Sequence, residues 1–125
     1  MLIIKPLLFE KYEKIIFGFS TKTGNGRPAP YHFNLSYSVE DKKENVEQNR
    51  DSFFKWLGLD KNNIVLQKQV HSDIITYVDA PGIIGESDAM ITDKKNLGLA
   101  ISTADCTPVF LFDKKNKLIA GVHSG

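Results

Sequence analysis

Three side chains in this 125-residue chain could hold a soft or borderline metal ion or carry out thiol chemistry: His71, Cys106 and His123. They stand 35 and 17 residues apart, with no C-x-x-C or H-x-x-x-H pairing to bring them together locally. By spacing alone a buried thiol and two surface histidines is the better reading. Their places along the chain add something. His71 closes Leu66-Gln-Lys-Gln-Val-His, where alternation puts it on the face of Gln67 and Gln69. His123 closes Leu118–His123 on the face of Ile119 and Gly121, and Cys106 lies in the short Thr103–Pro108 connection. All three therefore sit at strand ends, where distant parts of a chain can converge. A thiolate with a neighbouring imidazole as base would use the same residues for metal-free hydrolysis or deamidation. Cys106 is the only cysteine, so an internal disulfide is excluded.

The elements that must position these residues read as α+β. Ile15–Ser20 is apolar and aromatic enough for a buried strand, and Thr21–Tyr31 is a loop that its prolines and glycines keep irregular. Asp41 with Glu44 predicts a helix start; Val46, Phe53, Phe54 and Leu57 share its apolar face, and Gly58 stops it. Phe53, Phe54 and Trp56 read as core or partly covered aromatics. Strands are expected at Ile64–Val70, Ile74–Val78, Ala89–Thr92, Leu97–Ser102, Pro108–Phe112 and Leu118–His123. The twin strings Asp93-Lys-Lys-Asn96 and Asp113-Lys-Lys-Asn116 read as hairpin turns. Gly24-Asn-Gly26-Arg-Pro-Ala29 fits the dinucleotide fingerprint by letter only. Pro28 and Pro30 stand where the phosphate-binding helix would begin.

Sixteen basic against fifteen acidic residues leave a net charge of +1, with no basic footprint for nucleic acid. A 42% hydrophobic and 25% charged composition is that of a globular chain rather than a disordered one. No apolar run approaches the ~20 residues a membrane helix needs. Lys5, Pro6, Glu10 and Glu13 break the N-terminal run as a secretory segment, and a cytoplasmic protein is expected. The final run, Lys117–Gly125, is strand-like and has no closing helix, so it reads as a cut through a domain. On that reading the last strand is an open edge or an unsupported end, suited to self-association, with Leu118, Ala120 and Val122 uncovered. Nothing after it fixes the His123 ring, and poor turnover by the chain alone is expected.

Gln69-Val-His71, Asp88-Ala-Met-Ile-Thr92, Thr103-Ala-Asp-Cys-Thr-Pro-Val109 and Ala120-Gly-Val-His123, in this order, resemble the laccase-domain family. The family was once called multicopper polyphenol oxidases and is now described as zinc-dependent purine nucleoside phosphorylases with adenosine deaminase activity. Phe19–Gly24, Pro30-Tyr31, Asn34-Leu35 and Asn45-Val46…Asn49-Arg50 are similar to it as well. The chain departs from the family at Lys22 and at Gly24-Asn25, where an arginine and paired glycines are usual. It also stops where the family continues with about as much sequence again, so residues 1–125 correspond to the N-terminal half of one domain.

The resemblance implies a layered α/β sandwich of the cysteine-hydrolase-like type with mixed sheets, lacking its C-terminal part. It implies His71, Cys106 and His123 as metal ligands, purine nucleoside and phosphate as substrates, and zinc as cofactor. Three ligands leave an open position, as in catalytic zinc sites, and His₂Cys also suits copper. One such site falls short of a multicopper oxidase. Asp105, beside the thiol, is a catalytic proton-handling candidate alongside Cys106, or else simply a solvated surface carboxylate. Lys22, Asn34 and Gln69 are candidate substrate-binding residues. A metal-free cysteine enzyme and a non-catalytic half-domain needing a partner are the competing readings.

Overall fold

Helix α2 (Lys43–Leu57) shows how the first half of the chain is held together. Its buried positions are Val46, Asn49, Arg50, Phe53 and Phe54, one stripe at helical spacing. The computed structural model describes residues 1–125 and divides into two units, Met1–Lys61 and Asn62–Gly125. In the first unit, β1 (Ile3–Ile4), α1 (Leu7–Glu10) and β2 (Phe19–Ser20) precede α2, and β1 pairs antiparallel with β2. Only the last two residues of the expected Ile15–Ser20 strand are a strand. Its partner β1 ends before Lys5-Pro6, where proline offers no N–H, and Ile15 N–H turns back to Tyr12.

The buried polar residues of α2 fasten the loop before it. Asn49 donates to the Asn34 carbonyl and accepts from Asn25 Nδ2, each at 2.9 Å. Arg50 donates to the Leu35 carbonyl at 2.7 Å and lies over Tyr37 and Phe54. Gly58 ends the helix at φ 72°, a left-handed conformation that glycine adopts without steric cost. Trp56, by contrast, is half exposed. Asp41 is not the N-cap expected of it; Lys42 occupies that position and makes no side-chain cap. The Asp41 carboxylate is taken instead by Arg27, in a two-pronged pair at 2.8 and 2.9 Å. Residues 24–29 begin no helix, consistent with rejecting the dinucleotide fingerprint.

The second unit contains β3 (Ile64–Lys68), β4 (Ile75–Tyr77), β5 (Gly82–Glu86), β6 (Ala89–Thr92), β7 (Gly98–Ala100), β8 (Thr107–Asp113) and β9 (Leu118–Ser124). One sheet has the order β5-β3-β7 and is wholly parallel; the other has the order β4-β6-β9-β8 and is mixed. From β3 to β8 successive strands alternate between the two sheets. Parallel neighbours need a long crossover, and here a strand of the opposite sheet supplies it without a helix. This corrects the Asp93–Asn96 hairpin: β6 and β7 belong to different sheets, and Asp93 accepts from the Tyr77 hydroxyl at 2.6 Å. Its twin does close a hairpin. Asp113 there accepts from the Lys115 and Asn116 N–H groups at 2.9 and 3.0 Å.

The core is Val65, Val78 and Met90, with Ile84, Leu97, Leu99 and Ile101 packed on it. A Cβ at Gly121 would stand 2.8 Å from Ile101, so the bare backbone of β9 allows that packing. Strand β9 is an interior strand between β6 and β8, not the open edge expected, and the edges of its sheet are β4 and β8. The face carrying Leu118, Ala120 and Val122 also carries Ile75, Tyr77, Val109 and Leu111, all exposed. Strand β5, not expected from the sequence, is short, glycine-bearing and exposed except at Ile84.

Two tests follow from this packing. Arg27 first, then Asn34 and Asn45, hold the Asp41 carboxyl well below the usual carboxylate range despite the opposing cost of burial. That stabilisation is complete above the unfolded value of about 4 and is lost as pH falls through the folded one. Asp41→Asn should therefore unfold less steeply with acid than the parent below about pH 4; parallel acid profiles would contradict the pairing. Both amide ends of Gln67 are buried without a hydrogen bond. Gln67→Met should raise the unfolding free energy by about 1 kcal/mol, as read by denaturant titration, and a loss would contradict this.

Candidate functional site

Strand register brings the candidate ligands to one end of the second unit. Pro108 of β8 lies opposite His123 of β9, so Cys106, two residues earlier, arrives beside that histidine. Ala89 of β6 lies opposite Val122, which sets Asp88 next to His123, and the His123 N–H donates to the Asp88 carbonyl at 2.7 Å. Past β3 the chain turns sharply at His71, whose φ of 59° is left-handed and uncommon for a residue with a Cβ.

The three ligand atoms lie within 4.8 Å of one another. Cys106 Sγ is 3.7 Å from His71 Nε2, and the two imidazole centroids are 4.8 Å apart at an interplanar angle of 76°. His123 is buried, Cys106 half-buried and His71 exposed, so the cluster faces solvent on the His71 side. A Cβ at Gly125 would overlap the His71 ring, so only glycine allows that approach. Burial, and then the charge of Asp105, push the Cys106 thiol up. A bound cation reverses this, because a coordinating thiol is deprotonated outright.

Asp88, which the sequence presents only as part of a motif, is the most heavily bonded group in the site. Its carboxylate accepts from the Val70, His71 and Ser72 N–H groups at 3.2, 3.0 and 2.7 Å. The Ser72 hydroxyl adds a bond at 2.6 Å, and His123 Nδ1 lies 2.8 Å away. Burial would raise this carboxyl, but the bonds from Ser72, His123 and Val70 outweigh it and hold the group well below the usual range. A carboxylate is almost never fully buried unless paired. The sequence shows only a carboxylate at the head of the apolar β6 run; its burial against residues 70–72 and His123 is a property of the fold.

The other candidates divide. Asp105 Oδ1 is 3.7 Å from Cys106 Sγ, on an exposed residue. Gln69 spends both amide ends on Ser102, donating to its carbonyl at 2.7 Å and accepting from its N–H at 2.8 Å. Asn34 shapes its own loop, accepting from Ser36 N–H and donating to the Ser36 carbonyl and Asp41. Lys22 belongs to the first unit, where it lines an open hollow of about 430 Å³ with Arg27 and His32 among its walls.

The family model for multi-copper polyphenol oxidoreductase laccase matches residues 16–125. The chain belongs to this family. A relative named purine nucleoside phosphorylase, from Corynebacterium glutamicum, is 36% identical over 112 residues, 86% of this chain and 46% of the relative. Another, from Streptomyces griseus, is 37% identical over 114 residues, 87% of this chain and 46% of the relative. Among solved structures, the hypothetical protein YfiH of Bacillus licheniformis superposes with a TM-score of 0.81 at 31% identity. That match covers 86% of this chain and 45% of YfiH. YlmD of Geobacillus stearothermophilus gives 0.83 at 27% identity, over 86% of this chain and 44% of its own. The mixed α+β architecture is shared with both. The chain spans about half the length of the curated relatives it matches.

Proposed function

We propose that His71, Cys106 and His123 hold a catalytic zinc ion, and that the protein is a purine nucleoside phosphorylase that also deaminates adenosine. The observation that carries this reading is the convergence of two imidazoles and one thiol within 4.8 Å in a laccase-family chain. The donor set fits the ion: two nitrogens and one sulfur match zinc, and three protein ligands leave a place for water or substrate. Curated relatives named purine nucleoside phosphorylases support the substrate class, a purine nucleoside and phosphate. We infer with it a layered α/β sandwich of the cysteine-hydrolase-like type.

Zinc held there would supply Lewis acidity and bring the pKa of bound water toward neutrality. The chain's own residues add to this. The His71 side admits substrate, because it is the exposed face of the cluster. Asp105 stands beside the thiol with its carboxylate exposed, placed to accept or return a proton. The Asn34 and Gln69 amides act by holding backbone. A cysteine nucleophile would need a lowered pKa, and burial with Asp105 moves the thiol the other way.

Zinc content should be measured beside turnover of adenosine and inosine with phosphate. Cys106→Ala should lose bound zinc and turnover together, because it removes one of only three protein ligands. Chelation of the unmodified protein should abolish turnover, and added zinc should restore it. Turnover surviving exhaustive chelation, or an inactive Cys106→Ala protein with undiminished zinc, would favour a cysteine enzyme. Copper in place of zinc would overturn the choice of metal.

A further inference from the structure

We propose that Asp88 is the positioning residue of this centre, holding the His71 and His123 imidazoles in ligand geometry before an ion arrives. The inference rests on the metal reading only for what the geometry is used for. Each oxygen of the carboxylate is fully engaged. Oδ1 takes the His71 N–H and faces His123 Nδ1; Oδ2 takes the Val70 and Ser72 N–H groups and the Ser72 hydroxyl. Successive N–H groups turned onto one anion form a backbone nest. It is this nest that keeps His71 in its left-handed turn, where the ring reaches toward Cys106.

The same carboxylate decides which nitrogen of His123 carries the proton. An ionised carboxylate only accepts, so the 2.8 Å contact requires a proton on Nδ1 of His123. The lone pair of the neutral ring is then on Nε2, the nitrogen left to bind an ion. Asp88 is itself immobile. Its N–H donates to the Ile74 carbonyl at 3.1 Å, its carbonyl takes the His123 N–H, and its side chain is 2% exposed. Two of the three ligands thus depend on one group that would never touch the ion. Asparagine would turn an amide NH₂ toward donors that now share two oxygens.

The first measurement uses the unmodified chain, metal-free at about pH 8, where an ordinary histidine is neutral. Long-range proton–nitrogen NMR should show His123 protonated at Nδ1 and bare at Nε2. The opposite tautomer would overturn the proposal. Asp88→Asn should lower zinc affinity about 10- to 100-fold in chelator competition and shift His123 toward the other tautomer. Affinity within about threefold of the parent, in a folded Asp88→Asn protein that keeps the tautomer, would also overturn it. Ser72→Ala keeps the carboxylate and loses one donor. It should cost less than about 10-fold with the tautomer unchanged, so the test holds even where Asp88→Asn does not fold. If the protein takes up no zinc at all, the metal reading falls, and the tautomer still decides the role of Asp88.

Discussion

Within the second unit, the carboxylate of Asp88 ties together pieces of chain that lie far apart in sequence. Residues 70–72 come to it from the end of β3 and His123 from the end of β9, while Asp88 itself stands at the head of β6. A buried polar group left without its partners costs on the order of 1–3 kcal/mol, more when charged. None of these pieces can therefore drift independently. The turn at His71, unfavourable for a residue with a side chain, persists because the surrounding bonds over-determine it.

This arrangement depends on how the two sheets are threaded. Because the chain alternates between them from β3 to β8, consecutive strands of that run are never paired with each other. The ends of β3 and β9 and the beginnings of β6 and β8 can then meet at one place. Val65 and Met90, one from each sheet and both fully buried, anchor the interface that keeps those ends aligned. The close approach of Ile101 to Gly121 serves the same end. Chemistry is thus left to connections and strand ends, while the interior is given to packing.

Much of this was legible in the residues. The helical stripe of α2, the stop at Gly58, the β8–β9 hairpin and the separate placing of His71, Cys106 and His123 at strand ends follow from spacing and turn chemistry. The order of the motifs pointed to the family. Other features depend on pairing partners, which local pattern does not contain. The strings Asp93–Asn96 and Asp113–Asn116 are nearly identical, yet one crosses between sheets and the other closes a hairpin, because different strands await the chain beyond. Asp41 reads as a cap until Arg27 claims it. Asp88 reads as one more carboxylate before a strand until the fold buries it against residues 70–72 and 123. Asp105 is next to the thiol in sequence, whereas Asp88 meets His123 only through the fold.

X-ray absorption at the zinc edge of the zinc-loaded protein examines the centre most directly, because it counts and identifies the ligand atoms. A zinc ion held by His71, Cys106 and His123 requires one sulfur at about 2.3 Å and two imidazole nitrogens at about 2.0–2.1 Å, with any further scatterer a light atom from solvent or substrate. A shell with no sulfur, or with fewer than two imidazoles, would contradict a centre built from His71, Cys106 and His123.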